Sequence, residues 1–217
     1  MTDPLYQQLD IGERELISIV GAGGKSAVLF ILGRELAETG RRVILTTTTK
    51  MAADQVTEPA CWSDDPTSVE RHLEAGSPLF VALGTEPGKV TGPAPEGCDR
   101  LFLETMADCV VVEADGARSM SVKAPAEHEP AIPGTSTLVV VVAAIDAVGR
   151  PVRAVAHRPE RVAAIARVGE DDVLAVPDLA SVLLHPEGGL KSIPTTARVA
   201  VVITRVDGAT AGLAADR

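Results

Sequence analysis

The stretch ISIVGAGGKSA, residues 17–27, limits most strongly what this chain can fold into. A β-branched apolar run passes directly into a glycine-rich loop, and Lys25-Ser26 then begins a helical pattern. A strand, a glycine loop and a helix that starts with Lys-Ser form the setting in which backbone amides hold phosphate groups. The stretch therefore predicts a βα unit with a phosphate site at its turn.

The spacing of this loop is shorter than the commonest one. Anchored on Gly24-Lys25-Ser26, the pattern G-x-x-x-x-G-K-[ST] requires a glycine at Ile19, but the first glycine is Gly21. The resulting G-x-x-G-K-[ST] resembles the tighter loop of Mur-type ligases. A purely structural turn is the alternative, yet such a turn has no need of Lys-Ser after its glycines.

From this loop we expect a nucleoside triphosphate, ATP or GTP, bound together with Mg²⁺. Glycines let the backbone approach phosphate oxygens. Lys25 would reach the β- and γ-phosphates as a catalytic residue, and Ser26 would bind the metal. The residues predicted to hold the nucleotide are Gly21, Ala22, Gly23, Gly24, Lys25, Ser26 and Ala27.

The rest of the chain alternates apolar runs with helical patterns. Strands are predicted at residues 16–20, 43–47, 79–83, 109–112, 138–144 and 199–204. Helices are predicted at residues 26–38, 68–75, 100–106, 160–166 and 178–184, and a Gly/Pro-rich loop at residues 84–97. Because the strand runs are apolar on both faces, we predict a single α/β domain over residues 1–217, with a doubly wound, mainly parallel sheet of P-loop NTPase type. Ligands of such sheets bind outside the carboxyl ends of the strands.

The composition narrows the classes of partner. The formal net charge of -10 opposes binding to a nucleic-acid backbone, and aromatic residues, at 2%, are too few for a base-stacking platform. The first ten residues lack a signal-peptide pattern, and the longest apolar run, residues 138–145, is too short to span a bilayer. We therefore expect a cytoplasmic protein without nucleic-acid or membrane partners.

The sequence VVVEADGARS, residues 110–119, is an apolar strand that ends in acids, which is the shape of a Walker B strand. Glu113 and Asp115 are two residues apart and point the same way on an extended strand. We expect this pair to be catalytic and to bind the metal, the alternative being a solvated strand end. In TTTTKM, residues 46–51, Thr48 is the candidate metal ligand, although threonine also suits strands in general.

The sequence VITRVDG, residues 202–208, resembles a degenerate [NT]-K-x-D, the guanine-reading loop of many GTPases. Thr204 takes the Asn/Thr position, Arg205 the lysine position and Asp207 the aspartate position. A carboxylate at Asp207 would pair with two donors of guanine that adenine cannot match. The alternative is an ordinary turn at the end of the strand, so both ATP and GTP stay open.

Five segments together resemble the YqeC family: SIVGAGGKSA, ILTTTTKM, VVVEADGARSMSVKAPAEHEPAIP, HRPERV and HPEGGLKSIP. The resemblance covers residues 17–207 and is most specific over residues 113–133. It implies a P-loop nucleotide-binding protein. Members of the family are described as accessory proteins of selenium-dependent molybdenum hydroxylases, with a role in maturing the labile cofactor. A molybdenum hydroxylase or its cofactor is therefore an expected partner.

The resemblance also draws attention to His128 in the loop KAPAEHEPAIP, which its prolines stiffen. On the residues alone, a solvent-facing histidine is the simpler interpretation. Within the resemblance, His128 becomes a candidate general base, metal ligand or substrate contact. HRPE, residues 157–160, is interpreted as a helix start, because proline suits the first turn and glutamate suits the helix dipole.

For the reaction, we expect nucleotide hydrolysis or phosphoryl transfer. A small-molecule kinase or ligase is one alternative, which the Mur-like spacing suggests. The other is a chaperone or insertase in which the nucleotide only switches the shape of the protein.

Overall fold

Apolar runs form the longest strands in this computed structural model, which describes residues 3–206. In chain order the strands are β1 (Glu15–Gly21), β2 (Val43–Thr47), β3 (Lys50–Ala52), β4 (Ala60–Cys61), β5 (Leu79–Val81), β6 (Gly84–Glu86), β7 (Lys89–Thr91), β8 (Cys109–Glu113), β9 (Val122–Lys123), β10 (Leu138–Ala144), β11 (Ala156–His157) and β12 (Arg198–Thr204). The α-helices are α1 (Leu5–Gln8), α2 (Lys25–Glu38), α3 (Pro66–Glu70), α4 (Pro95–Glu104), α5 (Val152–Val155), α6 (Pro159–Ala166) and α7 (Val176–Leu183).

Seven of these strands make one sheet in the order β12-β10-β1-β8-β2-β5-β4. Every neighbouring pair in it is parallel, and β1 lies between β10 and β8. Parallel neighbours need crossover connections over the faces of the sheet. The predicted α/β fold with a mainly parallel sheet of P-loop NTPase type is confirmed. Its glycine loop follows the carboxyl end of an interior strand, as expected.

Two hydrophobic cores lie on opposite faces of the sheet. On β1, Ile17 and Ile19 belong to the core shared with α2, whereas Leu16 and Val20 belong to the other core. Helices α4, α6 and α7 supply to that second core Leu101, Phe102, Val162, Ala163, Leu179, Val182 and Leu183. The interior strands are buried on both faces, which is why their sequences are apolar without interruption.

Strand β12 departs from this pattern, although its sequence is equally apolar. Val199, Val201 and Ile203 are 46%, 42% and 38% exposed. The strand lies at one edge of the sheet. Alternate side chains of a strand point to opposite faces, so these three residues share one face of β12, and that face is partly open to solvent. The expectation that every apolar run is covered on both faces is wrong for β12 within the part of the chain that the structure describes.

Helix α2 begins directly after the glycine loop. Gly24 precedes it with a φ of 127°, a left-handed value that a residue with a Cβ rarely adopts. The helix packs Val28, Leu29, Leu32 and Leu36 into the core beside the sheet. It ends as predicted before Gly40, whose N–H donates to Ala37 O at 2.8 Å. Packing and loop geometry together therefore fix the N-terminus of α2 at the end of β1.

The loop predicted at residues 84–97 is wrong in part. Strands β6 and β7 form an antiparallel hairpin there, and β3 joins β7 to complete a three-stranded sheet. Gly88, with a φ of 71°, provides the turn between β6 and β7. Helix α4 already begins at Pro95, because the fixed φ of proline suits the first helical turn. A second small sheet pairs β9 with β11 in parallel and sets His157 beside Lys123.

Two other predicted helices differ from the observed ones at their ends. The helix expected at residues 68–75 is α3, which ends earlier, at Glu70, and starts earlier because Asp65 Oδ2 accepts the Ser68 N–H at 2.8 Å, a typical N-terminal cap. The helix expected at residues 100–106 is α4, which ends at Glu104. There the Thr105 hydroxyl turns back and donates to Leu101 O at 2.6 Å.

Substitution of Gly23 by alanine tests how tightly the loop is held against the sheet. A Cβ on Gly23 would lie 2.5 Å from Ala144 N and 2.8 Å from Ser121 O, whereas a Cβ on Gly88 would meet no atom within 4 Å. Both glycines have a left-handed φ, so Gly88→Ala costs about 1 kcal/mol of conformational strain. Gly23→Ala should cost roughly 1–3 kcal/mol more, because the backbone itself has to move. Urea unfolding measures both, and equal losses in the two variants would contradict the close packing.

Candidate functional site

The glycine loop forms the turn between β1 and α2. Gly21, Gly23 and Gly24 have φ values of 98°, 77° and 127°. The loop is fixed to β10 by the Ala22 N–H, which donates to Val142 O at 2.8 Å. Beyond it, the first amides of α2 have no partner within the helix, as at every helix N-terminus. Residues 23–27 line a cleft of about 630 Å³, a size typical of small-molecule sites.

Lys25 turns back over the loop. Its Nζ donates to Gly21 O at 2.9 Å and lies 3.3 Å from Asp115 Oδ1 and 3.8 Å from Glu113 Oε1. The lysine side chain is only 4% exposed. The lysine predicted for phosphates is thus brought together with both predicted acids, as a buried ion cluster.

Of the two predicted acids, Glu113 and Asp115, Glu113 is the one that lines the cleft. It ends β8 in register with Ile19 of β1 and Thr47 of β2, and it accepts a hydrogen bond from Ser26 Oγ to its Oε2 at 2.7 Å. Burial raises the pKa of Glu113, although the charge of Lys25 and the bond from Ser26 act in the opposite direction. A cation at this position would favour the charged carboxylate.

The pair of Ser26 and Glu113 fits a hard cation such as Mg²⁺, which prefers oxygen ligands. Residues 3–206 hold no group of three or more His, Cys, Asp or Glu side chains placed to bind a metal ion. Mg²⁺ sites in proteins commonly take one or two protein ligands and leave the remaining positions to phosphates and water.

Asp115 lies behind the loop and does not line the cleft. It is 2% exposed, its Oδ2 accepts the Gly21 N–H at 3.1 Å, and the same oxygen lies 2.9 Å from Lys123 Nζ. Its other oxygen, Oδ1, makes no hydrogen bond within residues 3–206 and is held by the charge of Lys25. Asp115 therefore positions the loop and the two lysines.

The ion cluster continues from Asp115 away from the loop. Lys123 Nζ donates to Gly116 O at 2.6 Å and to Glu129 Oε2 at 3.0 Å, and Arg158 Nη1 lies 2.8 Å from the same Glu129 oxygen. Burial alone would raise the pKa of Glu129, but hydrogen bonds from Lys123 and Arg158 outweigh it and lower the pKa to about 2. A continuous chain of charges therefore runs from the first turn of α2 to Arg158.

The histidine that lines the cleft is His157, not His128. His128 is exposed on the loop after β9 and lies outside the cleft. His157 is half-buried, and burial together with the charges of Arg158 and Lys123 lowers its pKa, which favours the neutral ring. The sequence HRPE was interpreted as a helix start, and helix α6 does begin at Pro159. That interpretation assigned no functional role to His157.

The threonine run mainly fixes strand ends. Thr48, the predicted metal ligand, donates its hydroxyl to Ala131 O at 2.9 Å and does not line the cleft. Thr46 and Thr47 donate to Val81 O and Glu113 O. Thr49 is the member of the run that lines the cleft.

Two of the three residues proposed to read the base lie at the loop. Thr204 donates its hydroxyl to Gly23 O, and Arg205, which lines the cleft, lies 2.8 Å from Asp146 Oδ2. Asp207 falls outside the described residues. The guanine preference therefore stays a prediction.

The cleft is rich in cations for a chain with a net charge of -10. Its wall includes Lys50 and Lys89 from the three-stranded sheet, together with residues 116–120. The cationic residues that line it are Lys25, Lys50, Lys89, Arg118, Arg158 and Arg205. The acidic ones are Glu113 and Glu129. The balance favours an anionic ligand.

A parallel sheet whose interior strand runs through a glycine loop into a helix with Lys-Ser at its start, beside an acidic strand end, defines an α/β protein with a fold of P-loop NTPase type. Residues 17–160 match the family described as "YqeC protein". Over 212 residues the chain is 36% identical to "Uncharacterized protein YqeC" of Escherichia coli (strain K12), covering 94% of this chain and 82% of that protein. The chain belongs to the YqeC family, and the resemblance seen in the sequence is confirmed. Among residues 3–206, no helix has the length and apolar character needed to cross a membrane.

Substitution of Glu129 by glutamine tests the buried chain of charges. Because the pKa of Glu129 falls from 4.5 to about 2 in the fold, its carboxylate stabilises the protein above about pH 4.5 and loses this effect as the pH falls toward 2. The wild type should exceed Glu129→Gln in unfolding free energy by at most about 3 kcal/mol near neutral pH. This difference should shrink between about pH 5 and pH 2. The exposed neighbour Glu127→Gln is the control, and a difference independent of pH would contradict the assignment.

Proposed function

We propose that this protein binds a magnesium nucleoside triphosphate at the glycine loop and hydrolyses it or transfers its terminal phosphoryl group. The observation that carries the proposal is the meeting of Ser26 Oγ and Glu113 Oε2, 2.7 Å apart, at the first turn of α2. This pair directly follows three glycines with left-handed φ. Metal ligands and phosphate-binding amides would thus adjoin each other.

The phosphates would be held by the amides of residues 23–27 and by Lys25, because the amides of Gly21 and Ala22, which the sequence also predicted for this role, already donate to Asp115 and Val142. Lys25 has to leave Glu113 and Asp115 to reach them, and phosphate oxygens offer equivalent charge-assisted hydrogen bonds in return. Asp115 keeps Lys123 as a partner when Lys25 moves. The burial of Lys25 in the ion cluster is therefore compatible with phosphate binding, but it also gives this lysine a role in stability that its sequence alone did not indicate.

Ser26 and Glu113 are the residues proposed to hold Mg²⁺. When bound, the metal would supply neutralisation of the phosphate charge. Glu113 would also be the nearest carboxylate to orient the attacking group. The proposal assigns no metal contact to Thr48 or Asp115, because their side chains are engaged with Ala131 and with the two lysines.

The biological role that we propose rests on family membership and on the resemblance in the sequence. Nucleotide turnover would serve maturation of a selenium-dependent molybdenum hydroxylase or its cofactor, in the cytoplasm. Turnover measured with the purified hydroxylase and, separately, with candidate cofactor precursors separates the possibilities. Stimulation by the hydroxylase alone indicates a nucleotide-switched chaperone, whereas multiple turnover of a precursor indicates a kinase or ligase. Competition between ATP, GTP and XTP decides the base, with GTP expected if Asp207 reads it.

Substitution of Ser26 by alanine is the test of the nucleotide site. Loss of the hydroxyl should weaken magnesium-dependent nucleotide binding about tenfold, and binding without Mg²⁺ should change little, because Ser26 acts through the metal. Isothermal titration of ATP and GTP with and without Mg²⁺ measures this. Ser119→Ala, in the same cleft but outside the loop, is the matched control. If wild-type protein binds neither nucleotide, or if Ser26→Ala binds them as the wild type does, the proposal is wrong.

A further inference from the structure

We infer that the cleft holds a second site, formed by Arg118 and His157, that takes a small organic anion as the second substrate. The anionic group would be a phosphate, sulfate or carboxylate. The inference rests on the proposed function, because it names what the nucleotide-binding protein acts upon. Four observations carry it: a shared cleft, an unusual backbone, an unpaired cation and an imidazole in the same cleft wall.

The shared cleft brings together two sets of residues. Residues 23–27 belong to the nucleotide site proposed above, and the same 630 Å³ cleft is also lined by residues 116–120, His157 and Arg158. In the second set, residues 116–120 follow β8, His157 ends β11, and Arg158 comes directly after it. A ligand bound there would share the cleft with the phosphates of the nucleotide without using the amides of the loop.

The backbone of this second set is unusual. Arg118, Ser119 and Arg158 have φ values of 47°, 61° and 64°, and Arg205, also in the cleft, has a φ of 56°. Non-glycine residues in this region cost on the order of 1 kcal/mol each and concentrate at functional sites. Seven non-glycine residues among those described have positive φ, and these four line the one cleft. Strain gathered in this way is expected where side chains are aimed at a ligand.

Arg118 is the cation in this set that is free to bind. Arg158 is paired with Glu129, and Arg205 is paired with Asp146. Arg118 is exposed and forms neither an ion pair nor a side-chain hydrogen bond with any residue in the described range 3–206. A guanidinium without a protein partner beside other cations provides planar, two-pronged donors suited to a phosphate or carboxylate.

His157 adds a neutral contact beside this cation. Burial lowers the pKa of His157, the charges of Arg158, Lys123 and Arg118 around it act in the same direction, and the charge of Glu129 opposes them. A neutral imidazole can accept a hydrogen bond from a hydroxyl or amine. The second substrate is therefore inferred to be an anion that also carries such a group, the part of the molecule on which nucleotide chemistry would act.

The test uses sulfate, because its charge does not change between about pH 5 and pH 8. Protein saturated with Mg²⁺ and a non-hydrolysable nucleotide is titrated with sulfate at constant ionic strength, with chloride as the balancing anion. The wild type should bind sulfate, and Arg118→Ala should weaken this binding about tenfold while nucleotide affinity stays unchanged. Arg167→Ala is the matched control, because Arg167 has a similar φ of 59° but does not line the cleft.

A pH series adds a readout that a purely structural role would not change. As the pH falls through the lowered pKa of His157, the ring becomes charged and sulfate should bind more tightly. The pH dependence should disappear in His157→Ala. An increase at low pH that persists in His157→Ala would remove the histidine from the site.

The possible failures are distinguishable. If the nucleotide itself does not bind, the proposed function falls and the second site falls with it. If the nucleotide binds but sulfate does not, or if Arg118→Ala binds sulfate normally, only the second site is wrong. If Arg118→Ala weakens nucleotide and sulfate equally, Arg118 belongs to the nucleotide site and the inference is overturned.

Discussion

The rest of the site depends on the burial of Lys25 between two carboxylates. A charged side chain that is 4% exposed is tolerated only when its charge is compensated, and Glu113 and Asp115 provide this within 3.8 Å and 3.3 Å. The three residues come from the start of α2, the end of β8 and the segment after it. Their attraction therefore holds the glycine loop against the acidic strand end, and it brings Ser26 within 2.7 Å of Glu113.

The same constraint extends beyond the loop. Asp115 is shared with Lys123, and Glu129 joins Lys123 to Arg158, so that a buried line of alternating charges leads from the loop to the residue beside His157. Removal of one member takes away one of the charges that compensate its neighbours. Under the proposed function, a nucleotide that draws Lys25 toward its phosphates would change the electrostatic balance of this whole line. The two ends of the cleft are thus physically connected.

The sequence predicted those parts of the fold that local patterns specify. Uninterrupted apolar runs indicated buried parallel strands, and the stop at Gly40 indicated the end of α2, because both follow from burial and backbone geometry within a short segment. The hairpin at residues 84–91 was missed because its strands are only three residues long and polar. The exposed face of β12 was missed because apolar residues at the edge of a sheet have the same sequence pattern as those in its middle.

For the site, the sequence by itself determined which residues form and adjoin the glycine loop. They are the glycines, Lys25, Ser26 and the acid that ends β8. Short-range spacing is sufficient for these, because each follows directly from a strand or begins a helix. Only the tertiary structure decided that Asp115 faces two lysines, that Thr49 lines the cleft instead of Thr48, and that His157 lines it instead of His128. These outcomes depend on which distant segments pack together. Each of these segments carries several polar residues that could line the cleft. Only the packing of the whole chain decides which of them does.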